Sequence, residues 1–77
     1  MKKKRLDKND RRFLAKMREL NETNGMTFSR LAVRLEAKGF KLTHLEVFAI
    51  AARRTEADVK LQEAIADILG CLRRDIF

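Results

Sequence analysis

Three donor side chains, Lys41, Thr43 and His44, stand within four consecutive positions of the stretch GFKLTHLEVF, residues 39–48. An ammonium, a hydroxyl and an imidazole grouped this way suit recognition. They can donate hydrogen bonds to phosphate oxygens or to the edges of bases. They do not suit bond breaking. His44 is the only histidine and has no second metal ligand at a suitable spacing. The chain offers no nucleophile–base pair, no metal-ligand cluster and no phosphate-cradling glycine loop. Cys71, the lone cysteine, follows a helix end and reads as a small buried apolar group. The sequence therefore predicts a protein that is not an enzyme and uses no cofactor, metal or small-molecule substrate. Each donor also has a plainer role: Lys41 as a solvated cation, Thr43 as a helix cap, and His44 as an ordinary exposed residue.

The charge points to the partner. Eighteen Lys and Arg stand against eleven Asp and Glu, giving +7 in 77 residues. Seven of those cations (Lys2, Lys3, Lys4, Arg5, Lys8, Arg11, Arg12) lie in residues 1–12, beside only two carboxylates, Asp7 and Asp10. Such a cluster seeks a polyanion, namely nucleic acid, an acidic membrane face or an acidic protein, although it also serves as a solubilising tail. The basic start lacks the apolar core of a signal peptide, and no apolar run is long enough for a membrane span. A single cysteine allows no internal disulfide, so a reducing cytoplasm is the expected compartment.

The elements that must position these donors are all helices. Alanine, leucine, lysine, arginine and glutamate abound and proline is absent. Asn9 or Asp7 is expected to cap a first helix whose stripe is Phe13, Leu14, Met17 and Leu20, ended by Gly25. Thr27 is expected to cap a second, with Met26 and Leu31 as a hydrophobic staple and Phe28, Leu31, Ala32 and Leu35 facing inward. Gly39 stops it, with Phe40 returning to Leu35. Thr43 and Glu46 form a capping box for a third helix, with Leu42 and Val47 as a second staple; it is expected to run to Arg53 or Arg54. Thr55, with Asp58 three residues on, is expected to open a fourth. Its apolar side is Val59, Leu61, Ile65, Ile68 and Leu69, and Gly70 ends it. The tail is expected to tuck Leu72, Ile76 and Phe77 against the core. The prediction is an all-α, compact four- to five-helix bundle: residues 1–8 form a flexible basic arm and residues 9–77 a single domain.

The link Gly39–Leu42 between the second and third helices is short enough for a steep crossing, as in a helix-turn-helix. DNA binding by such a unit needs phosphate contacts at the start of the second helix and base contacts at the start of the third. Thr27, Ser29 and Arg30 fit the first task. Lys41, Thr43, His44 and Val47 fit the second. Val47 could meet a thymine methyl, although its staple to Leu42 accounts for it without DNA. Arg34, Arg53 and Arg54 could reach the backbone, as could the arm residues Lys2, Lys3, Lys4 and Arg5. Leu45, Phe48, Ala49 and Ala52 are read as the face that anchors the third helix. Ile50 or Ala51 is then left facing a partner subunit or the tail, because this helix is apolar nearly all round.

With those residues in view, the chain resembles the lambda-repressor/Cro-like helix-turn-helix family, and especially the small Ner-like regulators of Mu-type phages. "TFSRLAVRL" resembles the family's second helix, "GFKLTHLEVFAIA" its turn and recognition helix, and "LQEAIADILGCLRRDIF" its closing pattern. The resemblance spans about residues 13–77. It departs from the family where Glu36, Ala37 and Lys38 intervene before the turn glycine, which calls for a second helix one turn longer or a wider turn. The resemblance implies operator-specific DNA binding, transcriptional control as a repressor of phage or prophage origin, double-stranded DNA as partner, and homodimerisation. Action in the bacterial cytoplasm or nucleoid, or in the host cytoplasm, goes with it. The competing expectation is a protein-interaction module, such as an antitoxin-like or adaptor subunit. RNA binding is weaker, because the five phenylalanines fit core or tail positions.

Overall fold

A computed structural model describes residues 9–77. The basic arm Lys2–Arg5 and the expected cap Asp7 lie outside them. The described chain is all-α: α1 Arg12–Asn24, α2 Phe28–Ala37, α3 His44–Ala51, α4 Val59–Leu69 and α5 Arg73–Ile76, with no strand among the described residues. α2 packs on α3 and α4, and α5 packs on both α4 and α1. Phe13, Leu31, Leu35, Val47, Ile65 and Ile76 are completely buried, so each of the five helices contributes at least one residue to a single core.

Several helix boundaries follow from local chemistry. Thr27 Oγ1 accepts the Arg30 N–H at 3.1 Å, capping α2. Thr43 Oγ1 accepts from the Glu46 N–H at 3.2 Å while Glu46 Oε1 accepts from the Thr43 N–H at 2.8 Å, which is the reciprocal capping box. At the end of α2 the Phe40 N–H reaches the Leu35 carbonyl and the Gly39 N–H the Glu36 carbonyl, both at 2.9 Å. This is a Schellman stop, and Gly39 takes the left-handed position with φ 96°. α2 thus continues through Glu36 and Ala37. Its link to α3, Lys38–Thr43, is longer than the four residues expected.

Other boundaries fall elsewhere than expected. The N-cap position of α1 is Arg11, which makes no side-chain cap; the Arg12 N–H instead donates to Asp10 Oδ1 at 3.1 Å. Asn9 lies before that position. α3 stops at Ala51, short of Arg53. There the Arg54 N–H reaches the Ala49 carbonyl and the Arg53 N–H the Ile50 carbonyl, a second Schellman-type stop with Arg53 left-handed at φ 60°. α4 is capped by Asp58, not Thr55: Asp58 Oδ1 accepts from the Leu61 N–H at 2.8 Å. Gln62 strengthens that start by donating to the Ala57 carbonyl, which keeps residue 57 outside the helix. In the tail Ile76 and Phe77 pack inward as expected, but Leu72 is exposed.

The principal correction concerns which face of α3 is buried. Val47, Ile50 and Ala51 enter the core. Leu45, expected as an anchor, is 68% exposed and Phe48 is 37% exposed. Because α3 is apolar on both sides, its periodicity cannot choose between them. The packing of α3 on α2 does.

Candidate nucleic-acid interface

The start of α3 is held by backbone chemistry, and its donors are left outward. The capping box uses the Thr43 hydroxyl as an acceptor and the Glu46 carboxylate as its return partner. Lys41, Thr43 and His44 are all exposed there. The exposed Glu46 carboxylate is the one anion of this stretch; one of its oxygens is tied to the Thr43 N–H at the positive end of the helix dipole.

α2 meets this surface through its first turn. The Phe28 ring stands edge-on to the Phe48 ring, with centroids 5.4 Å apart. This contact brings the beginning of α2, where Thr27, Ser29 and Arg30 are exposed, beside the outward side of α3. From that first turn into the second, Ser29, Arg30, Val33 and Arg34 line a shallow depression. At the other end of α3 the Arg54 guanidinium lies 5.7 Å from the centre of the Phe48 ring, a cation–π arrangement that leaves the residue exposed.

Two expected site residues lie elsewhere. Val47 is 0% exposed and cannot meet a base; stapling and core packing account for it. Arg53 is 6% exposed and cannot reach a DNA backbone. Its Nη2 donates to Asp10 Oδ2 at 3.0 Å and also to the Ile76 carbonyl, and its guanidinium lies 5.0 Å over the Phe77 ring. Phe77 in turn meets Phe13 edge-on at 5.4 Å. Arg12 completes the cluster, donating to both oxygens of Asp10 and to the Arg74 carbonyl. The Arg12 side-chain bonds above all hold the Asp10 carboxyl well below the usual carboxylate range. Burial opposes them; the Arg12 N–H and the Arg53 charge reinforce them. This cluster ties the segment before α1 to the end of α3 and to α5.

Sequence reasoning missed the outward roles of Leu45 and Phe48. The signal that could have found them was the Leu42–Val47 staple, which turns Val47 inward and so turns Leu45 outward. Burial pushes the Cys71 thiol upward, which keeps it protonated. Among the described residues no group of three or more His, Cys, Asp or Glu could hold a metal ion. No helix there is long and apolar enough to cross a membrane. In comparison with known proteins, the chain matches no family model, no curated protein and no solved structure.

Proposed function

We propose that the chain is a sequence-specific DNA-binding transcriptional regulator, a repressor of phage or prophage type, acting in the cytoplasm. In this reading α2 and α3 form a helix-turn-helix and the start of α3 enters the major groove. One observation carries the reading. The Phe28–Phe48 contact sets the exposed first turn of α2 beside the outward side of α3, whose leading end exposes Lys41, Thr43 and His44. A net charge of +7 supplies the long-range attraction to a polyanion. The base readers are then Lys41, Thr43 and His44. Thr27, Ser29, Arg30, Arg54 and the arm Lys2–Arg5 contact phosphates.

Selection from a random duplex pool tests this directly. A recurrent site is expected, and a palindromic one reports a homodimer. Lys41→Ala or His44→Ala changes which duplexes are recovered. Replacing Lys2, Lys3, Lys4 and Arg5 with Ala weakens all duplexes alike and flattens the salt dependence by roughly one unit of log–log slope per lost phosphate contact. Equal binding of random and selected duplexes at physiological salt would reject a specific regulator.

A second reading, a protein-interaction module, rests on the exposure of Leu45 at 68% and of Phe48 beside it. It predicts association through α3 in the absence of DNA, abolished by Leu45→Asp.

A further inference from the structure

We propose that Leu45, Phe48 and Ala49, on the outward side of α3, read thymine C5-methyl groups, so that the preferred duplex carries thymines opposite this strip. The inference rests on the DNA-binding reading of α3 and names the bases which that reading leaves unspecified.

The geometry of α3 separates two kinds of chemistry. The donors Lys41, Thr43 and His44 occupy its leading end and the residues just before it. Leu45, directly after His44, is 68% exposed, and one turn on Phe48 is 37% exposed with Ala49 half-buried beside it; the exposed carboxylate among them, Glu46, accepts from the Thr43 N–H. From Leu45 to Ala49 the helix axis advances roughly 6 Å, about two base-pair steps. In the major groove the one apolar feature on a base edge is the thymine methyl. Cytosine offers an amino group there, and guanine two acceptors. Set against Leu45 or Phe48, either would be stripped of water with no partner, which selects against them. Adenine, on the other strand of each pair, leaves its own donor and acceptor to the neighbouring polar side chains.

Charge complementarity commits the face to a polyanion. The Arg54 guanidinium lies over Phe48 at one end of the strip, and Lys41 is exposed at the other. Phosphates flank a major groove on both sides, so cations at both ends of an apolar strip match a duplex. A second copy of a chain carrying +7 would bring those same cations together.

The test uses the full chain and a duplex recovered from a random pool, compared with a copy in which deoxyuridine replaces thymine inside the footprint. That change removes only the C5-methyl groups. Wild-type affinity is expected to fall about fourfold for each methyl that the strip covers. Uridines outside the footprint are expected to change nothing. Leu45→Ala, at an exposed position that leaves the core intact, is expected to bind the thymine copy more weakly and to distinguish the two copies less. Specific binding with equal affinity for both copies would overturn the inference and leave the DNA-binding reading standing. Failure to recover any duplex would overturn both; if sedimentation then showed association that Leu45→Asp dissolves, the strip would be a protein-docking face.

Discussion

The two ends of α3 are built in opposite ways. Its leading end is closed by neighbours in sequence: Thr43 and Glu46 exchange hydrogen bonds across three residues, and Gly39 supplies the positive φ that ends α2 before it. Its trailing end has a local Schellman-type stop too, but one held in place by residues far away. Arg53 holds a left-handed conformation that costs an ordinary residue about 1–2 kcal/mol. It is held there by Asp10 from before α1 and by Ile76 and Phe77 from the tail. A locally closed end needs no cover from the rest of the chain. Arg53, whose conformation depends on tertiary contacts, is buried, although Arg54 beside it is exposed. The fold thus leaves the leading end of the helix at the surface and ties the backbone of the trailing end into the domain.

Replacing Arg53 should have the largest effect. Arg53→Ala leaves the Ile76 carbonyl without this donor and Asp10 with Arg12 alone, and is expected to lower stability by about 3 kcal/mol in urea denaturation. Arg53→Gly removes the same contacts but relaxes the backbone, so it should fall about 1 kcal/mol short of that loss. If the alanine and glycine variants proved equally stable, the left-handed residue would carry no strain. If both matched wild type, the cluster would not be holding the trailing end.

Acid provides the next test. Because the folded Asp10 carboxyl titrates below its unfolded value, its contribution is fully present above the ordinary carboxylate pKa and is lost as pH falls toward the folded value. Asp10→Asn should cost about 2 kcal/mol at pH 7, and the gap to wild type should narrow as pH drops below about 4. A gap independent of pH would show that the carboxylate charge is not what holds Arg53.

The leading end should respond less. Gly39→Ala meets no nearby atoms, so only its φ of 96° resists the added carbon; the expected loss is roughly 1–2 kcal/mol. Thr43→Ala removes one half of the capping box and should cost about 1 kcal/mol, measured by thermal denaturation. A loss at Thr43 as large as that at Arg53 would contradict the division between a local and a tertiary end.

Much of the fold could be read from short-range chemistry. Thr27, Thr43 and the glycines at 25, 39 and 70 act within a few residues of themselves, and their effects emerge as expected. The start of α4 was misplaced at Thr55 because Thr55 and Asp58 are both residues that cap helices; the cap is Asp58, whose carboxylate accepts from the Leu61 N–H. Of the candidate site, the exposed polar residues Lys41, Thr43, His44, Ser29 and Arg30 lie at the surface, while Val47 and Arg53 do not. Arg53 misled because a long cation usually seeks water, and only a distant carboxylate and carbonyl bring it inside.

The sequence by itself determined that the chain is helical, where α2 and α3 begin, where α1, α2 and α4 end, and that it carries a strong positive charge. Those properties depend on residues three or four apart, or on simple addition. Which side of α3 turns inward was marked only by the Leu42–Val47 staple and decided by packing on α2, and which arginine is buried was decided by tertiary structure alone. An apolar helix can bury either face at similar local cost, and a buried charge needs partners that the chain supplies from its opposite ends.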